Sequence, residues 1–119
     1  MNLGHTFGHA LETIAGLGSI THGSAVAWGI GRAVEVALKK EYCLQAFRDE
    51  VFSILKAYGW ETEAVPPFVK GGGFCERLIT IMRNDKKNLS DQIRLILCKG
   101  IADISIEEVD EKLIASVLK

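Results

Sequence analysis

Residues 23–42, GSAVAWGIGRAVEVALKKEY, are apolar on most sides and turn charged only near their end. A helix with one apolar stripe can lie on a surface, whereas one that is apolar nearly all round has to be covered. This segment is therefore expected to form a buried helix, and the rest of the chain must supply what buries it. The flanking patterns are also helical. Residues 5–15 (HTFGHALETIA) carry helix formers and stop at Gly16 and Gly18. Phe47, Val51, Ile54, Leu55 and Tyr58 recur at helical spacing, with Gly59 placed to cap the end. Phe74, Leu78, Ile81 and Met82 mark a fourth helix over 74–82.

Between the last two, 61–73 holds Pro66, Pro67 and the triplet Gly71-Gly72-Gly73, which suit a loop. Gln92–Cys98 and Ile101–Ile106, separated by Lys99-Gly100, read as a small hairpin or two-stranded ribbon. Ser105 with Glu108 has the capping-box spacing for a last helix with Val109, Leu113 and Val117 on its apolar face. The expected fold is mainly α, a compact helical domain with a small two-stranded β element near the C-terminus. No internal repeat or low-complexity tract is present.

Composition excludes several classes of function. With 119 residues the chain has room for one domain, and not for a dinucleotide-binding domain together with a substrate domain. Lys and Arg number 14 against 15 Asp and Glu, and no basic block occurs, so no nucleic-acid partner is expected. The apolar stretches are too short to span a bilayer, and 1–8 lacks the pattern of a secretory signal. Cys43, Cys75 and Cys98 are odd in number and widely spaced, which indicates neither a disulfide framework nor a thiolate zinc site. A cytoplasmic setting is expected.

All three histidines lie in the first 22 residues. His5 and His9, each preceded by a glycine, stand at i and i+4, so both imidazoles can share one helix face. That arrangement serves either metal ligation or acid–base chemistry, and His22 could close over the same cavity. Thr6 follows the first histidine, so this is not the HExxH zinc motif. Gly29-Ile30-Gly31 lies inside a helical pattern with no third glycine, and Gly71–Gly73 is not followed by Gly-Lys-Ser/Thr, so neither is a nucleotide or phosphate loop.

Three strings occur in order: Asn2-Leu3-Gly4-His5-Thr6-Phe7-Gly8-His9-Ala10-Leu11-Glu12, then His22-Gly23-x-Ala25-Val26-Ala27-x-Gly29, then Asp85-Lys86-Lys87-Asn88. Together they resemble the C-terminal domain of 3-dehydroquinate synthase. The resemblance spans nearly the whole chain but only the last part of the family's usual length. It implies conversion of 3-deoxy-arabino-heptulosonate 7-phosphate to 3-dehydroquinate and phosphate in the shikimate pathway, with NAD and a divalent metal, zinc or cobalt.

Residue by residue, the resemblance implies that His5 and His22 are metal ligands. It places His9 at the substrate for polar contact or proton handling. Asn2 and the lysines Lys86 and Lys87 would contact the anionic substrate, a phosphorylated sugar acid. The family's third metal ligand, a glutamate, and its NAD-binding domain belong upstream of the matched region, so this chain alone is expected to be inactive. Ser24 stands where the family usually has Glu, which changes the surroundings of His22. Alternatives are another sugar-phosphate cyclase or polyol dehydrogenase of the same superfamily, or a non-catalytic helical interaction module. Self-association into a homo-oligomer is expected from the apolar 25–38 run.

Overall fold

The computed structural model describes residues 5–16, 18–67, 69, 72–85, 92–98 and 104–118; among the strand residues, only the side chains of Leu97, Val109 and Asp110 are described. Its elements are α1 (His5–Ala15), α2 (His22–Lys39), α3 (Gln45–Ala57), α4 (Phe74–Asp85), β1 (Gln92–Cys98), β2 (Ile104–Asp110) and α5 (Glu111–Ser116). The fold is mainly helical, as expected, and the strands form one antiparallel pair with Ile96 opposite Ile106. Among the described residues no helix is long and apolar enough to cross a membrane.

The apolar run does become the buried helix α2. Ala25, Ala27, Trp28, Ala33, Val34, Val36 and Ala37 are all buried. Trp28, Ala33, Val36 and Ala37 share one core with Phe7, Ala10 and Leu11 of α1, Phe74, Leu78, Ile79 and Met82 of α4, and Ile114 of α5. Leu97 of β1 and Val109 of β2 complete it. Both lie on the same face of the ribbon, because Leu97 pairs with Ser105 and strand side chains alternate with period two. The apolarity of α2 is thus satisfied within the chain. Among the described residues the most exposed large apolar side chains lie elsewhere, at Leu44, Ile54, Tyr58, Trp60 and Val65, while Val26, Ile30 and Leu38 of α2 are only partly buried.

Helix ends follow local chemistry. Thr21 accepts a hydrogen bond from the Ser24 amide at 3.0 Å and starts α2 at His22. At the end of α3, Gly59 has φ 80°, its amide bonds to the Lys56 carbonyl, and the Trp60 amide bonds to the Leu55 carbonyl. That is the paired closure of a Schellman cap. The same closure ends α2, with the Glu41 amide on Leu38 and the Tyr42 amide on Ala37, but here Glu41 occupies the left-handed region at φ 60°. A side chain there costs about 1–2 kcal/mol. Glu41→Gly is therefore expected to stabilise the fold by about 0.5–1 kcal/mol after the added freedom of the unfolded chain is subtracted. A rise of a few degrees in Tm checks this, and an unchanged or lower Tm counts against it.

Two local expectations need correction. Helix α3 forms where the spacing predicts, but its buried residues are Phe52 and Leu55, while Ile54 and Tyr58 are 52% and 76% exposed. Phe52 is drawn in because its ring lies near Gly31 of α2 and beneath the guanidinium of Arg32 on the same helix, 5.8 Å from the ring centroid. The second correction concerns the capping box. Ser105 and Glu108 lie within β2, paired with Leu97 and Arg94, so strand pairing already uses this stretch of backbone. The last helix starts six residues after Ser105, at Glu111, with Asp110 as its cap accepting from the Lys112 amide at 2.7 Å. Val109 is consequently a strand residue and Val117 follows the helix, although both are buried in the core.

Candidate functional site

Helices α1 and α2 cross at Gly8. A β-carbon at that position would stand 2.9 Å from the Ala25 carbonyl oxygen and 3.2 Å from the Val26 Cα, distances that real side chains do not tolerate against backbone. The close crossing brings together the first turns of both helices. His5, the first residue of α1, and His22, the first of α2, stack edge to face with ring centroids 5.3 Å apart at 70°.

Glu12, seven residues after His5 and on the same side of α1, reaches His22, with 3.1 Å between its Oε2 and Nδ1. His5 and His22 then line one end of a pocket of about 310 Å³, whose remaining wall includes Val26, Ile30, Leu55 and Trp60. The pocket is therefore apolar apart from the two imidazoles.

Two part-buried hydrogen bonds hold that wall. Trp28 Nε1 donates to the Glu63 carbonyl at 2.8 Å, and Arg32 donates from one terminal nitrogen to the Thr62 carbonyl at 2.7 Å. The other terminal nitrogen of Arg32 donates to the Val117 carbonyl at 2.6 Å. These contacts fix the segment that carries Trp60 and tie it to the end of α5. Burial lowers the pKa of Arg32, with nearby Glu35 acting in the opposite direction. Nothing in the local pattern distinguishes Arg32 from a surface charge, because its role comes from carbonyls 30 and 85 residues away.

The placement of the expected site residues is uneven. His5 and His22 meet. His9 is exposed one turn further along α1 and is not part of the pocket lining. Asn2, Lys86 and Lys87 lie outside the described residues. Glu12 belongs to the sequence string that includes both α1 histidines, but only the fold reveals its contact with His22. Spacing did contain a signal, since positions i and i+7 share a helix face. Among the described residues no group of three or more His, Cys, Asp or Glu side chains gathers to hold a metal, so the chain presents a pair of imidazoles.

Residues 1–88 match the family profile described as 3-dehydroquinate synthase C-terminal. The chain belongs to the 3-dehydroquinate synthase family. It is 39% identical over 103 residues to 3-dehydroquinate synthase of Pelobacter propionicus, which covers 87% of this chain and 27% of that protein. With the enzyme of the same name from Halalkalibacterium halodurans it shares 39% identity over 118 residues, 99% of this chain and 31% of the relative. The chain thus spans under a third of the length of these curated relatives.

Among solved structures, a 2-deoxy-scyllo-inosose synthase complexed with carbaglucose-6-phosphate, NAD+ and Co2+ superposes with a TM-score of 0.80 at 25% identity. It covers 97% of this chain, which matches 33% of that one. ValA, a 2-epi-5-epi-valiolone synthase from Streptomyces hygroscopicus with NAD+ and Zn2+ bound, has a TM-score of 0.79 at 20% identity. It covers 98% of this chain and 31% of its own length matches, and at that identity it shows the shared fold alone.

Proposed function

We propose that this chain is the C-terminal, metal- and substrate-bearing part of a 3-dehydroquinate synthase, and that it forms 3-dehydroquinate only together with an NAD-binding part. The observation that carries this reading is the His5–His22 pair at 5.3 Å. Two imidazoles that bind one tetrahedral zinc through nitrogens about 2.0–2.1 Å away have ring centroids about 5 Å apart. Imidazole nitrogen suits zinc and cobalt alike. The residues therefore fit a divalent metal as two of the three protein ligands a catalytic site takes, with the third supplied from outside the described residues.

A metal bound there supplies Lewis-acid polarisation of a substrate oxygen. The protein's own residues do the rest of the binding. His9, exposed beside the pair, is placed to accept or donate a proton at a substrate oxygen without competing for the metal. Asn2 supplies a neutral hydrogen bond, and Lys86 and Lys87 supply point charges for the phosphate or carboxylate of a sugar acid. The apolar wall of Val26, Ile30, Leu55 and Trp60 backs the imidazoles on one side, while His22 stays open to solvent and substrate. NAD belongs to the part of the relatives that this chain does not cover, and the setting is cytoplasmic.

A second reading, another sugar-phosphate cyclase, draws on the 0.80 TM-score to a 2-deoxy-scyllo-inosose synthase. The 39% identity to dehydroquinate synthases against 25% to that cyclase favours the first. Purified chain supplied with NAD, zinc and 3-deoxy-arabino-heptulosonate 7-phosphate should release no phosphate, whereas adding a polypeptide with the family's NAD-binding part should start release. Turnover by the chain alone contradicts the proposal, and a product other than 3-dehydroquinate moves it to the second reading.

A further inference from the structure

The chemistry that makes an imidazole a useful ligand depends on which of its nitrogens carries the proton. Neutral histidine in water favours the form protonated at Nε2, which leaves the lone pair on Nδ1, close to the backbone. His22 is the first residue of α2, and its side chain is 65% exposed, so its neighbours on its own helix leave the choice open.

The choice is made from the other helix. Glu12 is 21% exposed, rooted on α1, and its Oε2 lies 3.1 Å from Nδ1 of His22. A carboxylate at that distance accepts, so Nδ1 donates, and in the neutral imidazole the lone pair is then on Nε2. The α1–α2 crossing at Gly8 sets this distance, because it fixes the two helices against each other by direct backbone contact.

We infer that Glu12 is a positioning residue for His22. Its carboxylate holds the imidazole in the Nδ1–H form, so that Nε2 faces away from Glu12 as the coordinating atom beside His5. This inference rests on the metal reading for its purpose, although not for its geometry. It accounts for a contact that an ordinary surface ion pair would not require, since exposed pairs of this kind contribute little stability. Carboxylate, imidazole and metal in series is also the arrangement by which proteins orient ligating histidines and raise their basicity.

The tautomer can be read directly, without metal, from long-range proton–nitrogen NMR of the 119-residue chain at a pH where imidazoles are neutral. In the unaltered protein His22 should show a protonated Nδ1 and a bare Nε2. Glu12→Ala should move it to the Nε2–H form, while Glu12→Gln, whose amide oxygen can still accept, should retain much of the original form. Unchanged resonances for Trp28 and Phe74, which pack together in the core, establish that the variants stay folded. A bare Nδ1 in the unaltered protein, or a Glu12→Ala spectrum identical to it, would overturn the inference.

Zinc titration of the same samples separates this idea from the metal reading. If the unaltered chain binds zinc through His22, Glu12→Ala should weaken binding by about 10–100-fold. Equal affinity in the two proteins would overturn the positioning role. No zinc response in the unaltered chain would count against the metal reading alone, leaving the tautomer result to decide the role of Glu12.

Discussion

Gly8→Val is expected to lose about 3 kcal/mol or more of stability and to separate the two imidazoles. The obstruction is backbone against backbone. Even the first carbon of the new side chain would sit 2.9 Å from the Ala25 carbonyl oxygen, 3.1 Å from its carbon and 3.2 Å from the Val26 Cα. No side-chain rotation relieves such contacts, so α1 must move off α2, and overpacking of this kind costs about 1–3 kcal/mol even where neighbours can yield. Gly8→Ala is the milder test. Alanine regains up to about 1 kcal/mol of helix propensity, leaving a smaller net loss. Denaturant midpoints measure both, and the order wild type, Ala, Val should hold. A Val variant as stable as wild type would mean that the helices do not cross here.

Trp28→Ala should be as damaging for a different reason. Trp28 is 1% exposed, and its ring meets Phe7 of α1 at 6.2 Å and Phe74 of α4 at 6.0 Å, both edge to face. Truncation opens a cavity among three helices and leaves the Glu63 carbonyl without its 2.8 Å partner. Large-to-small changes of this size cost about 3–5 kcal/mol, much of the total stability of about 5–15 kcal/mol for a domain. Trp28→Phe keeps most of the volume and removes the hydrogen bond, so it should cost about 1–3 kcal/mol. Calorimetric Tm values distinguish these cases. A loss below about 1 kcal/mol for the alanine variant would show that the core is not built around this ring.

The helical framework was legible because its punctuation is local. Gly16, Gly18, Gly59 and the Pro66-Pro67 pair end segments for reasons of backbone geometry, and the periodic residues between them need only an apolar partner of some kind. What failed depended on partners. The azimuth of α3 turns on Phe52 finding Gly31 and Arg32 of α2, so a stripe including Ile54 and Tyr58 located the helix but not its buried side. The Ser105–Glu108 pattern suited a helix start, yet pairing with β1 took that backbone first and moved the start to Glu111.

The candidate site divides in the same way. Spacing on α1 grouped His5 with His9, a relation internal to one helix. The contact of His5 with His22 depends on a crossing made possible by Gly8, and the resemblance to a known family, more than periodicity, identified the pair. Glu12 and Arg32 look ordinary in the sequence, because an acid or an arginine on a helix is usually solvated. Their partners lie 10 to 85 residues away in sequence, beyond what any local pattern can show.

The central claim is that His5 and His22, and not His9, form the metal-binding pair, and zinc calorimetry on single alanine variants tests it. Replacing His5 or His22 should each weaken zinc binding by more than the roughly 10–100-fold that loss of a supporting contact costs, and replacing His9 should leave the affinity unchanged. Zinc bound as tightly by the His5 and His22 variants as by the unaltered chain, or weakened most by His9→Ala, would contradict the account.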